Sequence, residues 1–369
     1  MWFSLRPDAL VVWRDNRVRR ALAWYYDVMS DAKPAKFLIA KYVEAPRDFA
    51  EMSFDELWKL HERLSAEFNK LWRRIRDSES LEGLERPETS FLDVKATLAR
   101  AMLRSCRFCE NLCGVDRSIG RRGVCGMGRE AVVASYFHHV GEEAPLVPSG
   151  TIFYGGCTFK CVFCQNYDIS QERPYYGEQA NPSLLASIQR ELRLSGARNI
   201  NHVGGEPTPN LHVILASLTI LETNVPQIWN SNYYMSLESV ALLGEVIDLW
   251  LPDFKYWSDE CAARLSGVER YREVVTRNLL MTVERGDMII RHLVMPNHVE
   301  CCTIPILEWV AKNLPRDKVI VNVMDQYRPE HLVLRYPEKY REIARRPSKE
   351  ELRRAHEAAK ALGLLCDVV

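Results

Sequence analysis

Three closely spaced cysteines carry the clearest chemistry in this sequence. Cys157, Cys161 and Cys164 have the spacing C-x3-C-x2-C and follow a short apolar run, residues 151–154, that predicts a strand. Three thiolates this close in one loop can hold three irons of a four-iron cluster, which leaves the fourth iron without a local ligand and open to chemistry. A structural zinc loop and three buried thiols are the alternatives.

A second group of cysteines precedes the first. Cys106, Cys109, Cys113 and Cys125 have the spacing C-x2-C-x3-C-x11-C in a glycine-rich stretch, which we call the knuckle. Four thiolates at this spacing can bind a tetrahedral zinc or a second iron–sulfur cluster, and unmetallated thiols are the third alternative. Because seven of the 11 cysteines fall in these two groups, metal ligation in a reducing compartment is favoured over disulfides.

Polar motifs stand at the predicted ends of the strands that follow. They are Gly204, Gly205 and Glu206 at the second strand, Asn230 and Ser231 at the third, and Asp253 and Lys255 at the fourth. The C-terminal ends of barrel strands open onto one rim, so these residues are expected near the cysteine loop. Glu206 can accept hydrogen bonds from an ammonium group, and side-chain amides can bind ribose hydroxyls. Ordinary turns and a surface Asp253–Lys255 ion pair are the alternatives.

The fifth predicted strand carries Arg291 and His292, which alternation points to opposite faces, so that only one can face the barrel interior. His292 and His298 are expected to be structural more often than ligating. The other cysteines are interpreted as inert structural thiols, with a redox role for the vicinal pair as the alternative: Cys261, Cys301, Cys302 and Cys366.

Strands and helices alternate after the cysteine loop. Strands are predicted at 151–154, 198–203, 226–230, 248–254, 288–295 and 319–324. Helices are predicted between them at 182–195, 210–222, 236–246, 269–285 and 304–313. This order implies a parallel sheet with right-handed crossovers, and six such units give an incomplete (βα)6 TIM-like barrel.

Four segments are expected along the chain: a helical N-terminal extension at 1–104, the knuckle at 105–148, the barrel at 149–330 and a C-terminal segment with a terminal helix at 331–369. Apolar residues recur every three or four positions over 54–76, as in an amphipathic helix. Residues 13–26 carry both arginines and aromatic residues. The aromatic residues are the subject of two interpretations. They are expected to pack on the neighbouring domain, and a surface for a partner or nucleic acid is the alternative.

Composition excludes several classes of function. Lys plus Arg is 49 and Asp plus Glu is 49, so no global basic field favours nucleic acid or an acidic membrane. The N-terminus lacks the pattern of a signal peptide, and no apolar run approaches the ~20 residues that span a bilayer. A cytoplasmic location is therefore expected.

The cysteine spacing after a strand, the Gly-Gly-Glu motif and the Asp-x-Lys motif together resemble the radical SAM superfamily, and within it the pyruvate formate-lyase-activating enzyme-like branch. The knuckle is similar to the cysteine-rich stretch before the core in part of that branch. The resemblance spans about residues 106–327. It implies a partial barrel, a [4Fe–4S] cluster on Cys157, Cys161 and Cys164, and S-adenosylmethionine (SAM) as cofactor, with zinc or a second cluster at the knuckle. It implies SAM contacts from these residues: Phe163, Gly204, Gly205, Glu206, Asn230, Ser231, Asp253, Lys255 and Arg291.

The same resemblance implies reductive cleavage of SAM to a 5′-deoxyadenosyl radical that abstracts hydrogen, and a partner glycyl radical protein as the substrate. An electron donor such as a flavodoxin or ferredoxin is the implied partner. A radical SAM enzyme for a small molecule or a modified side chain is one alternative. A non-enzymatic, metal-stabilised protein that binds a partner or nucleic acid is the other.

Overall fold

The computed structural model describes residues 2–367, and an eight-stranded sheet lies at its centre. The strands are β1 (Ala131–His139), β2 (Ser149–Tyr154), β3 (Glu178–Ala180), β4 (Ile200–Gly204), β5 (Gln227–Ser231), β6 (Leu249–Pro252), β7 (Asp287–Leu293) and β8 (Val319–Met324). Their order is β3-β1-β2-β4-β5-β6-β7-β8, and β2 with β4 to β8 forms a run of parallel pairs. The six predicted strands and the partial barrel are confirmed, with strand ends that move by up to two residues.

The register of the parallel strands aligns their C-terminal ends on one rim. Tyr154 of β2 pairs with Gly204 of β4, and Ser231 of β5 pairs with Pro252 of β6. Just beyond β6, Asp253 bridges to Arg291 of β7. The strand-end motifs are therefore neighbours across the sheet.

Two strands were not predicted. β1 pairs antiparallel with both β2 and β3, and so adds an antiparallel edge to the barrel sheet. The sequence was expected only to lead into the barrel between 130 and 148. The burial of β1 changes along its length, from a buried start to an exposed middle, so it lacks the regular alternation that identifies a half-buried strand.

The helices surround this sheet. Their bounds are Trp2–Leu5, Asp8–Val11, Asn16–Ala21, Ala23–Met29, Lys36–Ala40, Phe54–Asp77, Phe91–Ala101, Pro182–Leu194, Leu211–Ile220, Leu237–Leu243, Asp259–Ser266, Tyr271–Thr282, Ile304–Asn313, Leu332–Arg335 and Lys349–Ala361. The predicted helices are all present. The short helix Asp259–Ser266 was not predicted, because eight residues are too few to establish a helical period. Within residues 2–367, no helix is long and apolar enough to cross a bilayer.

The N-terminal helices close the end of the barrel opposite the strand-end motifs. Leu22 and Tyr25 are fully buried in one cluster with Leu249, Ile289 and Ile320 of the barrel strands. The indole Nε1 of Trp24 also donates a 2.8 Å hydrogen bond to Oδ1 of Asp248, at the start of β6. The aromatic residues of this stretch therefore pack on the barrel, as expected.

Candidate active site

A cavity of about 290 Å³ opens at the rim where the parallel strands end. Every residue that the sequence assigned to the cofactor site lines it: Cys157, Cys161, Phe163, Cys164, Gly204, Gly205, Glu206, Asn230, Ser231, Asp253, Lys255 and Arg291. Gln326 and Tyr327, which follow β8, also lie on its wall, whereas Asp325 pairs with His356 at 2.7 Å. The fold thus brings together residues that are as far apart in the chain as Cys157 and Tyr327.

The three cysteines of the loop enter the cavity with few hydrogen-bond partners. Cys161 Sγ lies 3.0 Å from the hydroxyl of Ser266, and Cys164 Sγ lies 3.4 Å from that of Ser170. Burial raises the pKa of the Cys157 thiol, and the nearby Glu206 carboxylate and the other two thiols raise it further. For the same reason the pKa of Cys161 is raised to about 12. Cys157 and Cys161, two buried thiols that resist ionisation, would become thiolates if a cationic metal group were bound beside them.

Glu206 is a buried carboxylate that accepts hydrogen bonds from four donors. Oε1 accepts from the backbone and hydroxyl of Thr208 and from the hydroxyl of Ser231 at 2.7 Å, and Oε2 accepts from the amide of Asn232 at 2.9 Å. Burial raises its pKa, against the lowering effect of these bonds. Among the described residues no cation forms an ion pair with it, so a cationic ligand in the cavity would neutralise a charge that the protein leaves unpaired.

Asn230 and Ser231, at the end of β5, differ in how far their hydrogen bonds are already satisfied. The Nδ2 atom of Asn230 is buried on the cavity wall without a hydrogen-bond partner, and so is available to a ligand. The hydroxyl of Ser231 is already engaged, because it donates to Glu206 and accepts from the amide of Tyr233 at 3.0 Å. Ser231 therefore orients Glu206, a role that the sequence did not suggest.

Asp253 and Lys255 form an ion pair inside the cavity rather than on the surface. Their side chains are 25% and 17% exposed. Burial alone would lower the pKa of Lys255, but the Asp253 carboxylate, together with Cys161 in its ionised form, outweighs it and keeps that pKa above its ordinary value. The ammonium group therefore stays charged beside the thiols.

Arg291 faces the cavity, and His292 faces away from it, as strand alternation predicted. The guanidinium of Arg291 bonds to Glu142 and, at 2.6 Å and 2.7 Å, to Glu143. His292 is buried between the carbonyl of Phe254 and the hydroxyl of Thr303. The two glutamates lie in the β1–β2 connection and were not predicted as site residues. In the sequence, the one indication of their role is that two adjacent acidic residues could pair with an arginine on a barrel strand.

The glycines near the site make room for neighbouring backbone. A Cβ atom on Gly205 would lie 2.1 Å from the carbonyl oxygen of Gly156, and one on Gly156, at φ 77°, would lie 2.4 Å from Met127. The strand-end motif thus packs directly on the cysteine loop. Gly205, one of the SAM contacts that the resemblance implies, therefore also makes room for protein backbone.

The knuckle packs against the cysteine loop as well. All four of its cysteines line one small cavity of about 10 Å³, and the carbonyl of Cys125 accepts a 3.2 Å hydrogen bond from the amide of Cys157. A hydrogen bond with Cys106 lowers the pKa of Cys113 to about 5. The four knuckle thiols therefore converge on one point, and the backbone of the knuckle contacts Cys157, the first candidate cluster ligand.

Comparison with known proteins agrees with this geometry. Residues 151–310 match the model of the Radical SAM superfamily. The chain is 42% identical over 349 residues to "Uncharacterized protein MJ0674" of Methanocaldococcus jannaschii, with 93% of this chain and 98% of the relative covered.

Solved structures of SuiB from Streptococcus suis also match. The complex with precursor peptide SuiA has a TM-score of 0.39 at 17% identity, and the complex with S-adenosylmethionine has 0.40 at 16%. Each match covers 55% of this chain and 43% or 44% of SuiB, so the matched part spans less than half of SuiB.

The converging thiols, the unpaired carboxylate and the partnerless amide fit the two cofactors of the matched superfamily, a [4Fe–4S] cluster and SAM. The chain therefore belongs to the radical SAM superfamily.

Proposed function

We propose that this radical SAM enzyme binds its cluster through Cys157, Cys161 and Cys164, binds SAM in the adjoining cavity, and abstracts hydrogen from a substrate at the rim. The observation that supports this most is that one cavity is lined by the three thiols and by both polar motifs of strands β4 and β5. When bound, the cluster supplies the electron that cleaves the sulfonium of SAM to methionine and a 5′-deoxyadenosyl radical. The residues of the protein itself bind SAM, orient it and enclose it in the cavity.

Glu206 is the proposed acceptor for the ammonium group of SAM. Its four donors fix the carboxylate in one orientation, and the absence of an ion pair to it among residues 2–367 leaves its charge for the ligand. A charge-assisted hydrogen bond of this kind contributes about 1.5–3 kcal/mol. Ser231 acts as a positioning residue for Glu206.

The ribose and the carboxylate of SAM have separate proposed partners. Asn230 offers its free Nδ2 to a ribose hydroxyl. Lys255 remains charged next to the thiols and lies near the SAM carboxylate. Arg291 is committed to Glu142 and Glu143, so its proposed part is to shape the cavity wall.

The cavity volume bears on the substrate. About 290 Å³ is at the lower end of ligand pockets, which enclose roughly 300–1,000 Å³. SAM would therefore occupy most of it, and the substrate would approach from the open side. This favours a glycyl residue that a partner protein presents at the rim, with a reductant such as a flavodoxin or ferredoxin as the second partner.

The experiment measures hydrogen transfer from a labelled substrate to 5′-deoxyadenosine. Reduced protein would be incubated anaerobically with SAM and with a glycyl radical protein that carries deuterated glycine. We expect deuterium in the released 5′-deoxyadenosine and a glycyl radical signal in electron paramagnetic resonance. Release of 5′-deoxyadenosine without deuterium would reject the glycyl substrate and favour a small molecule or another side chain.

A further inference from the structure

A second cluster of metal-binding side chains lies apart from both cysteine groups discussed so far. One ring nitrogen of His298 and the Sγ atoms of Cys261 and Cys301 lie within 4.8 Å of one another. Among residues 2–367 this is the one group of three Cys, His, Asp or Glu ligand atoms with so close a spacing. Two chain segments supply it, the first turn of the helix Asp259–Ser266 after β6 and the stretch 298–301 after β7, so the fold and not the local sequence creates it.

The histidine has one ring nitrogen that is free to bind a metal. His298 is 4% exposed, and its Nδ1 lies 2.8 Å from the carbonyl oxygen of Pro296. A carbonyl oxygen can only accept, so Nδ1 carries the hydrogen and Nε2 carries the free lone pair. A backbone carbonyl on the outer ring nitrogen is the usual partner that fixes a ligating imidazole.

The turn that carries the histidine is fixed by its neighbours. Asn297 has a φ of 62°, in the left-handed region. Its amide donates to Glu351 at 2.6 Å, and its side-chain nitrogen donates to the carbonyl of Glu342 at 2.7 Å. This backbone conformation is thus held from the C-terminal segment, and it delivers His298 to the two sulfurs.

The donor set selects the kind of ion. Two thiolates and one imidazole suit zinc, a borderline-soft cation that binds sulfur at about 2.3 Å in a tetrahedron, which places neighbouring sulfurs about 3.8 Å apart. Cys302 Sγ lies 3.7 Å from Cys301 Sγ and stands beside the group as a further donor. Each ligating thiol gives up its proton to solvent on binding.

The helix Asp259–Ser266 connects this group to the radical SAM loop. Cys261 lies in the first turn, where its amide is capped by Ser258 at 3.2 Å. At the other end, Ser266 Oγ lies 3.0 Å from Cys161 Sγ, and the carbonyl of Ser266 accepts from the amide of Lys160 at 2.9 Å. An ion on Cys261 would hold the beginning of the helix whose end supports a cluster ligand.

We propose that Cys261, His298 and Cys301 bind one zinc-type ion. This ion would link the segment after β6 to the segment after β7 and thereby stabilise the cysteine loop. The site is separate from the knuckle, whose four candidate ligands are all cysteines.

The test uses this difference in ligands. Full-length, anaerobically purified protein would be analysed for zinc and iron and by X-ray absorption at the zinc edge. We expect imidazole scattering with nitrogen at about 2.0–2.1 Å, which zinc in an all-cysteine knuckle cannot give. Cys261→Ser, His298→Gln and Cys301→Ser should each lose about one equivalent of zinc and the imidazole signal, with iron unchanged. Cys366→Ser, a half-buried cysteine outside the group, should keep both.

Three results would overturn the proposal. They are a zinc-loaded wild type without imidazole scattering, variants that keep the wild-type zinc content, and a Cys261–Cys301 disulfide in the anaerobically purified protein. If a variant fails to fold, the wild-type absorption spectrum alone still decides.

Discussion

At the scale of single residues, the site is defined by groups whose bonding is incomplete. Glu206 has its donors but no cation, and Asn230 has a buried Nδ2 without an acceptor. Leaving a buried donor such as the Asn230 amide unsatisfied in a folded chain costs about 1–3 kcal/mol, so a ligand that accepts from it recovers this free energy on binding. Changes to the cavity side chains should therefore alter the affinity for SAM.

Glu206→Gln should weaken SAM binding by about ten- to a hundredfold, since one charge-assisted hydrogen bond of about 1.5–3 kcal/mol is lost. Lys255→Met should also weaken it, because the charge near the SAM carboxylate is removed. Both proteins should keep a four-iron cluster, as neither residue is a thiol. Anaerobic titration with SAM measures this.

Glu178→Gln is the matched control, because Glu178 is exposed on β3 and outside the cavity. Unchanged affinity and unchanged 5′-deoxyadenosine yield in both cavity variants would mean that the SAM pocket is misplaced.

At the scale of elements, the site depends on three loops that touch through backbone. Gly205 approaches Gly156, and Cys157 bonds to the knuckle carbonyl of Cys125. The cysteine loop is therefore held between the strand-end motif and the knuckle, and changes in either should reach the cluster.

Gly205→Ala should lower both the thermal stability and the iron content per chain. The new Cβ would lie 2.1 Å from the carbonyl oxygen of Gly156, and moving backbone to relieve this clash costs free energy. Gly196→Ala is the control. Its φ of 108° would strain an alanine, but no atom lies within 4 Å of the new Cβ. Iron content per chain and melting temperature are the measurements. Equal losses in the two variants would refute the contact as the cause.

The knuckle should carry a metal that is needed for folding, since four thiols in a glycine-rich stretch have little apolar core of their own. Elemental analysis of the protein as purified, with and without alanine at Cys106, Cys109, Cys113 and Cys125, tests this. An intact fold that holds neither zinc nor iron at the knuckle would disprove it.

Sequence reasoning recovered the elements whose signals are local. The strand before Cys157 and the motifs at Glu206 and Lys255 could be predicted because spacing and strand ends are written in the chain. The carboxylates of Glu142 and Glu143, and the approach of Cys261 to His298, could not. They depend on contacts between segments far apart in the sequence, and the spacing of apolar residues along the chain does not predict such contacts.

At the scale of the whole molecule, the N-terminal helices close the barrel on buried polar contacts. Asp248 is fully buried, and its carboxylate accepts from Trp24 at 2.8 Å and from the amides of Lys36 at 3.0 Å and Gln227 at 2.8 Å. Burial raises its pKa to about 6 despite these bonds. The junction between extension and barrel is therefore sensitive to pH.

Because an unfolded aspartate has a pKa of about 3.9, the native state binds more protons between about pH 4 and pH 6. The free energy of unfolding should fall as pH rises through this window, by about 3 kcal/mol from this group. Asp248→Asn should remove that slope. Chemical unfolding of both proteins across the window measures it, and the difference between them cancels the contribution of the cluster. An identical slope in the variant would contradict the account.

The proposed function requires that the protein cleave SAM at a cluster held by Cys157, Cys161 and Cys164. The most direct measurement is the yield of 5′-deoxyadenosine and methionine after anaerobic reconstitution, addition of SAM and reduction with dithionite. We predict both products from the wild type and neither from the protein with alanine at all three cysteines. A wild type that carries a four-iron cluster and releases no 5′-deoxyadenosine, or a triple variant that releases as much as the wild type, would contradict the account.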